Sequence, residues 1–473
     1  KSARIIALCY FMKLRHWQAQ CLDAAMKHYQ SGHRQFGCLA TPGAGKSVFA
    51  AVTVKAMLNA GLVDFVLCIA PSVTVRNGLK STFEKVLEQP MDGFLGSIGL
   101  TLTYQGLSSL APGMIGRLLQ QRLIIVLDEI HHCGGHDRHN ATYWGASLMA
   151  LMQHNTPPYT LSLSGTPWRT DENYVTSLLY DQNLRPDMQF SYGLNDAVKE
   201  GVCRTPSVHL IDSSKWRVIE PDQTTRTHNS LKQLLKDENL AYQHVLEESL
   251  FLSNILHYAN EKLVTLRQGC SDVGGLIVAS SIKHATQIQR MLRDITQQEP
   301  WLVTSDTDKS HAVIQQFRNS AAPWLISVGM VSEGTDIPRL QVCCHLSRIC
   351  TELHFRQVLG RILRKRPKDN HQQATLIVPA HPELSEFAAI LKAEIPEHVS
   401  VVWRKKKGSS LMTSVSSSND TLKPDPVTNI TTQTIEGLSL TEPQTATNKG
   451  ATSSALVALT SYGRFEKEVL RFT

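Results

Sequence analysis

The sequence contains no apolar run long enough to form a membrane-spanning helix. Its purely aliphatic runs, such as residues 123–127, fall far short of the roughly 18 apolar residues that such a helix needs. It also lacks the even cysteine spacing of a secreted disulfide framework, because its 10 cysteines lie mostly inside apolar stretches. We therefore expect reduced cysteines in the protein core, no membrane contact and a cytoplasmic location.

A strong charge bias and an internal repeat are absent as well. Lys and Arg number 48 against 41 Asp and Glu, a formal net charge of +7. This balance is compatible with a polyanionic partner and equally with an ordinary soluble protein. No repeat of solenoid length stands out. The 473 residues, of which 42% are hydrophobic, are enough for roughly three folding units, or for two and a tail.

Short apolar runs of strand length alternate with longer helix-prone stretches in two separate parts of the chain. Strand-length segments separated by helix-length ones favour a parallel sheet with crossover helices. The sequence therefore predicts an α/β protein with two parallel-sheet domains. The runs are residues 36–40, 65–70, 123–127 and 160–163 in the first part, and 275–279, 324–328, 342–346 and 375–378 in the second.

Composition divides the chain into four segments. The two α/β parts are predicted at residues 1–184 and 272–403, joined by a polar, helix-prone connector or insert at residues 185–271. Residues 404–473 are rich in Ser, Thr, Asn and Gln, and cannot bury enough apolar surface to offset the entropy of ordering. We expect this tail to be largely disordered, with a short helix near residues 465–472. Such a tail can bind protein partners.

A glycine-rich segment with the spacing of a phosphate-binding loop follows the first apolar run. Residues 40–47 read ATPGAGKS. Gly43 and Gly45 allow backbone amides to curl around phosphate oxygens, and the N-terminus of the next helix adds a partial positive charge. Lys46 would contact the β and γ phosphates, and the Ser47 hydroxyl would coordinate Mg²⁺. The strict pattern begins with glycine where this chain has alanine. The alternative is a glycine-rich turn with a solvated lysine.

Two adjacent carboxylates follow the apolar run at residues 123–127. The sequence at residues 128–132 is DEIHH. A carboxylate at the end of a strand beside a phosphate loop is suited to a second Mg²⁺ contact, usually through water, and Asp128 takes this role. Glu129 can polarise the water that attacks the γ phosphate, as a general base. Adjacent acids are common at strand ends, so the prediction depends on their pairing with the loop.

Histidines and a cysteine in and after this segment raise the alternative of a zinc site. They lack a second ligand cluster at a recognised spacing. The zinc alternative therefore rests on one cluster. Its side chains are His131, His132, Cys133, His136 and His139.

The order of these motifs resembles the superfamily 2 DNA/RNA helicases, the DEAD/DEAH-box-like group with two RecA-like domains around an ATP cleft. LRHWQAQ at residues 14–20 resembles the Q motif, ATPGAGKS motif I, DEIHH motif II and SGTPWR at residues 164–169 motif III. CIAPSVTV at residues 68–75 and TYQGL at residues 103–107 resemble motifs that the family uses against the nucleic-acid backbone. The resemblance implies that Gln18 recognises the adenine of ATP.

The second half of the chain continues the resemblance. LIVASSIKHA at residues 276–285 resembles motif IV, MVSEGTDIP at residues 330–338 motif V, and FRQVLGRILR at residues 355–364 motif VI. The resemblance implies further nucleotide-binding residues and a catalytic set at the interdomain cleft. The nucleotide-binding residues are Thr41, Gly334 and Asp336, and the catalytic ones are Gln357, Arg361 and Arg364.

The two arginines of motif VI have a spacing that suits phosphoryl transfer. Arg361 and Arg364 lie about one helical turn apart, so both can project from one face of a helix that begins near Thr351. Phosphoryl transfer needs positive charge from a surface opposite the phosphate loop. The alternative is a solvated basic face continuous with Lys365 and Arg366.

Three local features narrow the resemblance to double-strand translocases. DEIHH, SGTPWR and the QxxGRxxR form of motif VI are similar to phage recombination helicases, repair helicases and restriction-enzyme motor subunits. RNA-directed DEAD-box proteins have Asp at the position of His131. We therefore expect an ATP- and Mg²⁺-dependent DNA helicase or translocase in repair, recombination or defence. The alternatives are an RNA helicase and a nucleic-acid-sensing ATPase that never unwinds its partner.

Overall fold

The computed structural model describes two α/β lobes and a C-terminal strand. No helix among the described residues is long and apolar enough to cross a membrane. The described residues are 14–133, 143–153, 157–167, 175, 178–180, 182, 186–220, 222–238, 240–304, 310–329, 337–366, 373–394, 433–434 and 458–471.

The first lobe is a six-stranded sheet in which all neighbouring strands are parallel. Its spatial order is β3-β2-β4-β5-β1-β8, and β6 and β7 form a separate antiparallel pair. The strands are β1 (Gln35–Ala40), β2 (Phe65–Ala70), β3 (Gly99–Thr103), β4 (Leu123–Asp128), β5 (Tyr159–Ser164), β6 (Leu179–Tyr180), β7 (Pro186–Asp187) and β8 (Phe190–Tyr192).

Helices cross between these strands, as parallel pairing requires. A short 3₁₀ turn, Ile130–His132, follows β4. The helices of this part of the chain are α1 (His16–Gln30), α2 (Lys46–Asn59), α3 (Val73–Leu87), α4 (Tyr104–Ser108), α5 (Pro112–Leu119), α6 (Tyr143–Met152) and α7 (Leu194–Lys199).

The central strands of the first sheet are apolar because both of their faces are covered. All six residues of β4 are buried, which is typical of a parallel strand with helices on both sides. Parallel strands also bring their carboxyl ends to one edge of the sheet. Since β1 and β4 are separated only by β5, the loop after β1 and the acidic pair at the end of β4 lie at the same edge.

The second lobe is a larger sheet with the order β12-β13-β11-β14-β15-β9-β17-β16, and β10 also pairs with β9. Its first six strands in this order are parallel, and β17 joins β9 antiparallel. The strands are β9 (Thr205–Ile219), β10 (Thr225–His228), β11 (Gly274–Ala279), β12 (Trp301–Val303), β13 (Trp324–Ser327), β14 (Leu340–Leu346), β15 (Gln373–Pro379), β16 (Gln433–Thr434) and β17 (Ala458–Arg471).

Seven helices accompany this sheet in the part of the chain that the structure describes. They are α8 (Leu231–Asp237), α9 (Tyr242–Glu247), α10 (Ser249–Gly269), α11 (Ile282–Thr296), α12 (Ser310–Asn319), α13 (Glu352–Ile362) and α14 (Pro382–Glu394).

The predicted fold class is confirmed. Each of the eight apolar runs identified in the sequence overlaps a strand, and the strands fall into two largely parallel sheets. The predicted helix after the phosphate loop is α2, and the helix of motif VI is α13. The nine cysteines in the described residues are free thiols.

The connector predicted at residues 185–271 is not simply helical. It contains β9, a 15-residue strand that pairs in parallel with β15 and belongs to the second sheet. The prediction of a helix-prone connector was wrong for this segment, in which Pro206 is the second residue of a strand. Proline is tolerated near the start of a strand. Polar residues such as His209 are nevertheless buried in β9, which obscured its apolar pattern.

The tail predicted as largely disordered ends in a strand, and the short helix predicted near residues 465–472 is wrong. Residues 458–471 form β17, which pairs along nearly the whole length of β9. The Ser461 hydroxyl donates a hydrogen bond to the buried Glu248 carboxylate, and Phe465 stacks on Phe251 of α10. This segment orders because β9 offers an open sheet edge, a partner that local composition does not reveal.

Replacement of Phe465 by Ala tests this pairing. Phe465 is 4% exposed, and loss of a buried phenylalanine costs about 3–5 kcal/mol. We expect faster hydrogen exchange along β17 and β9 in the variant. The control is Phe94→Ala, because Phe94 is 78% exposed and its loss should change little. Unprotected β17 amides in the unmodified protein would contradict the pairing.

Candidate active site

A five-residue loop joins β1 to α2 at the carboxyl edge of the first sheet. It occupies residues 41–45, and α2 begins at Lys46. Gly43 has φ +82° and Gly45 has φ +93°, a left-handed conformation that glycine adopts without a Cβ clash. Such a turn in front of a helix N-terminus gathers backbone amides and favours a bound anion.

The start of α1 holds the carbonyl groups of this loop. Gln18 Nε2 donates to the Gly45 carbonyl at 2.9 Å, and Trp17 Nε1 donates to the Ala44 carbonyl at 3.2 Å. The Arg15 guanidinium also donates to the Ala44 carbonyl, at 2.6 Å. Because the C=O and N–H of a trans peptide point in opposite directions, these bonds favour loop amides that face away from α1. Gln18 was predicted from the sequence as a site residue, whereas Arg15 and Trp17 in the same segment were not.

Two predicted nucleotide-binding residues lie behind the loop. Gln18 is 4% exposed and Thr41 is 5% exposed. The Thr41 backbone N–H donates to the Tyr192 carbonyl of β8 at 3.1 Å, which fixes the start of the loop against the edge strand. In this arrangement both residues support the shape of the loop.

Lys46 lies between the loop and the acidic pair. Its Nζ atom donates to the Ala40 carbonyl at 3.1 Å and lies 3.4 Å from Glu129 Oε1. The Lys46 side chain is 10% exposed. The ammonium group is therefore positioned at the loop by one backbone carbonyl and one carboxylate.

Glu129 adopts an unusual backbone conformation. Its φ of 50° and ψ of 57° lie in the left-handed region, which costs a non-glycine residue on the order of 1–3 kcal/mol. Its carboxylate accepts a hydrogen bond from Ser164 Oγ at 3.4 Å. Ser164 also accepts from the Thr166 backbone N–H at 3.0 Å and hydrogen bonds with His131 Nδ1 at 3.2 Å. Glu129 is thus linked to the end of β5.

The surroundings shift the pKa values of the two carboxyl groups, Asp128 and Glu129, in opposite directions. Burial raises the pKa of Asp128, and the neighbouring Glu129 carboxylate raises it further. Burial alone would raise the pKa of Glu129 too, but the Lys46 ammonium and His131 outweigh burial and hold that pKa well below the usual range. The strand therefore ends in one carboxyl that binds a proton readily and one that stays ionised.

Residues of both lobes line one cleft of about 850 Å³. From the first lobe these include Gly43, Gly45, Lys46, Ser47, Asp128 and Glu129, and from the second Gln357, Arg361 and Arg364.

Helix α13 lies very close to the phosphate loop. A Cβ atom added to Gly360 would lie 2.7 Å from Pro42 Cβ, so a larger residue does not fit without movement. A Cβ atom added to Gly43 would lie 3.1 Å from Arg364 Cγ. Cys203 Sγ, which precedes β9, lies 3.5 Å from the Pro42 carbonyl oxygen. The second lobe thus contacts the loop at three points.

The cleft also includes residues that the sequence analysis did not single out. Arg318 on α12 and Thr74 and Asn77 on α3 line it. Thr74 belongs to residues 68–75, the segment that resembles a backbone-contacting motif of the helicases. That resemblance could have indicated that Thr74 lies near the site. Arg318 lies outside every motif, and its place in the cleft depends on how α12 packs.

Four predicted residues lie outside the described part of the chain. They are Gly334, Asp336, His136 and His139.

The sequence of this chain is similar to those of several known proteins. Residues 11–169 match the family model described as type III restriction enzyme, res subunit. The uncharacterized protein ML1624 of Mycobacterium leprae is 30% identical over 398 residues, which cover 80% of this chain and 64% of that protein. These matches show that the chain is similar to helicase-like proteins of superfamily 2.

Two further proteins are similar to this chain over most of its length. The DNA 3'-5' translocase XPB2 of Sulfurisphaera tokodaii is 23% identical over 385 residues, which cover 76% of this chain and 80% of that protein. A solved fragment described as an HsdR subunit of a type I restriction enzyme from Vibrio vulnificus YJ016 shares the fold, with a TM-score of 0.55 and 15% identity. It covers 79% of this chain and 65% of that one. The matched part of this chain spans 64% of the length of its mycobacterial relative.

Gly360→Ala tests the close contact between the two lobes. The added methyl group would meet Pro42, so we expect ATP turnover to fall at least about tenfold, since a 1 Å displacement in a catalytic site can cost about 100-fold. Nucleotide binding by the first lobe should persist. Gly116→Ala is the matched control, because Gly116 is also helical and has nothing within 4 Å of an added Cβ. Equal turnover by both variants would contradict the contact.

Proposed function

We propose that this chain is a motor that hydrolyses ATP to move along or remodel DNA. The observation that carries the proposal is the shared cleft, which Lys46 and Glu129 of one lobe line together with Arg361 and Arg364 of the other. Similarity to superfamily 2 helicases supports ATP binding and a nucleic-acid-dependent ATPase activity. The role of each residue is likewise part of this proposal.

In the proposed reaction, the loop and Lys46 bind the triphosphate. The Lys46 ammonium now lies 3.4 Å from Glu129, and the more highly charged phosphates would compete for it. As Lys46 moves to the phosphates, Glu129 loses the positive charge that depresses its pKa. Glu129 then becomes a better base for the attacking water. Substrate binding would thereby activate the group that needs to accept a proton.

The residues at the cleft fit Mg²⁺. Ser47 lies in the first turn of α2, and the Asp128 carboxylate ends β4, and both line the same cleft. Hydroxyl and carboxylate oxygens are the hard donors that Mg²⁺ prefers, with water completing its shell. When bound, the ion would neutralise charge on the phosphates. Burial raises the pKa of Asp128, so the metal would also keep this carboxyl ionised.

Arg361 and Arg364 are assigned to the transition state. Arg361 lies in the last turn of α13, whereas Arg364 lies two residues beyond the end of the helix that was predicted to carry both. Both arginines line the cleft, as does Gln357 one turn before Arg361. Guanidinium groups stabilise charge that develops on the transferred phosphoryl group. Because α13 belongs to the second lobe, hydrolysis and phosphate release would change the distance between the two lobes. Repeated closing and opening of the cleft would then drive movement along a DNA strand.

DNA is the preferred partner in this proposal. His131, in place of the Asp of RNA-directed DEAD-box proteins, hydrogen bonds with Ser164 at the end of β5, so motif II and motif III are joined as a unit. A relative that aligns with 76% of this chain is named a DNA translocase. We further propose that the protein is located in the cytoplasm. We also propose that the C-terminal tail, residues 404–473, binds protein partners.

A comparison of ATP turnover with duplex DNA, single-stranded DNA and RNA tests the proposal. We expect duplex DNA to stimulate turnover most, and Lys46→Ala to abolish it because the loop loses its phosphate contact. Lys27→Ala is the control, since Lys27 is 75% exposed. Stimulation by RNA alone would favour an RNA helicase. Strong turnover without displacement of a forked duplex or movement along DNA would favour a switch.

Replacement of Arg361 or Arg364 by Ala separates catalysis from binding. We expect turnover to fall by up to about 10³–10⁵, as in other enzymes that use an arginine in this way. ATP affinity should be spared, and titration with a fluorescent ATP analogue measures it. The exposed Arg290 on α11 supplies the control Arg290→Ala. Equal losses of ATP affinity and turnover would instead show that the arginines maintain the structure of the cleft and do not act in catalysis.

A further inference from the structure

A second cluster of chemically active side chains lies in the second lobe, away from the ATP cleft. Cys350 comes from the loop between β14 and α13, and His381 and Glu383 come from the start of α14 after β15. One sulfur, one ring nitrogen and one carboxylate oxygen from these residues all lie within 4.8 Å of one another. Within the described ranges, this is the one group of His, Cys, Asp and Glu with metal-binding geometry.

Sheet topology explains why these three residues meet. β14 and β15 are parallel neighbours, with Val342 opposite Thr375. Their carboxyl ends therefore lie side by side, and the loops that follow them leave the sheet at the same edge. Two loops that are distant in sequence converge here, as they do in many protein metal sites. The spacing of the three residues in the sequence does not reveal this convergence.

The His381 imidazole supplies a second, independent observation. Its Nδ1 atom is buried and has no hydrogen-bond partner among the described residues. Tyr242 packs against the ring, with the ring centroids 4.5 Å apart. A buried ring nitrogen without a partner is costly, and a metal ion would satisfy it. Cys350 is likewise a free thiol.

The composition of the cluster points to zinc. Thiolate sulfur, imidazole nitrogen and carboxylate oxygen are the three ligand types that Zn²⁺ uses, and three protein ligands with one water complete a tetrahedral site. Mg²⁺ and Ca²⁺ avoid sulfur and prefer oxygen donors.

A nucleophilic triad is the other chemistry that Cys, His and Glu could form. The thiolate is the reactive form in both roles, so metal uptake through the sulfur is the observation that distinguishes a ligand from a nucleophile.

We propose that Cys350, His381 and Glu383 bind one Zn²⁺ ion, with water as the fourth ligand. The thiol proton passes to solvent as the sulfur–zinc bond forms. The ion would tie the loop before α13 to the start of α14. Helix α13 has 11 residues and is therefore about 16 Å long, which separates this site from the arginines at its other end. The proposal does not depend on the function proposed above.

Titration of the full chain with Co²⁺ tests the site, because Co²⁺ replaces Zn²⁺ and absorbs strongly in the near ultraviolet when a thiolate binds it. We expect this thiolate band to saturate at about one Co²⁺ per chain and to disappear when Zn²⁺ is added. Cys350→Ser should abolish the band. His381→Asn and Glu383→Gln should weaken metal binding at least about tenfold. An Mg²⁺ site at the ATP cleft gives no such band.

Two variants provide matched controls. Cys270 is another partly buried thiol, and Glu386 is an exposed carboxylate on the same helix as Glu383. Cys270→Ser and Glu386→Gln should keep both the band and the stoichiometry of about one ion per chain. Circular dichroism of each variant establishes that it is folded.

Two results would overturn the proposal. The first is the absence of a thiolate band in the unmodified chain, which is decisive even if a variant fails to fold. The second is a band that survives in folded Cys350→Ser, because another thiol, such as Cys133 in the histidine-rich segment, would then be the ligand. Either result leaves the ATPase proposal untouched, since turnover is measured separately.

Discussion

The close packing of helix α13 against the phosphate loop is the constraint on which the rest of the site depends. Gly360 has room for no Cβ beside Pro42, so the helix approaches until backbone and ring are in contact. Arg361 follows Gly360 on the helix, and Arg364 lies two residues beyond the helix end; both line the cleft at the loop. Because both belong to the second lobe, they would move with it.

The charges at the cleft form a system that an anion can rearrange. Lys46 is held by a backbone carbonyl and by Glu129, and Glu129 is held in a strained backbone conformation. Burial keeps the affinity of these groups for one another high, because water screens them little. In the function we propose, a triphosphate would offer Lys46 a stronger partner, and its binding would thereby activate Glu129. The hydrogen bonds of Ser164 connect Glu129 to the end of β5.

The second lobe is assembled largely by contacts between distant parts of the chain. β9 joins β15 on one side and the C-terminal strand β17 on the other, and the loops after β14 and β15 bring Cys350 to His381. Helix α13 connects two regions of this lobe, with the ATP cleft at one end and the proposed zinc site at the other. A metal ion that fixes the start of the helix would stiffen the element that carries the arginines.

The local patterns were enough to predict the phosphate loop, the acidic pair and two parallel sheets. Strand, glycine-rich turn and helix are consecutive at residues 40–47, and Asp128 and Glu129 directly follow an apolar strand, so their chemistry depends on neighbours in sequence. The place of α13 beside the loop was implied by family resemblance, and the Gly360 contact became visible only in three dimensions. Arg15 and Arg318 were missed because backbone hydrogen bonding and helix packing determine their surroundings.

Tertiary structure alone decided the strands β9 and β17 and the meeting of Cys350 with His381. Polar residues buried in β9 hide its strand pattern, and β17 is ordered by an open sheet edge far away in the sequence. The sequence by itself determined where the glycine-rich loop before α2 and the buried strands form, because those features depend on short-range backbone geometry and apolar composition. Which distant segments pair, and which side chains meet as a result, depends on sheet order, and sheet order is a property of the whole folded chain.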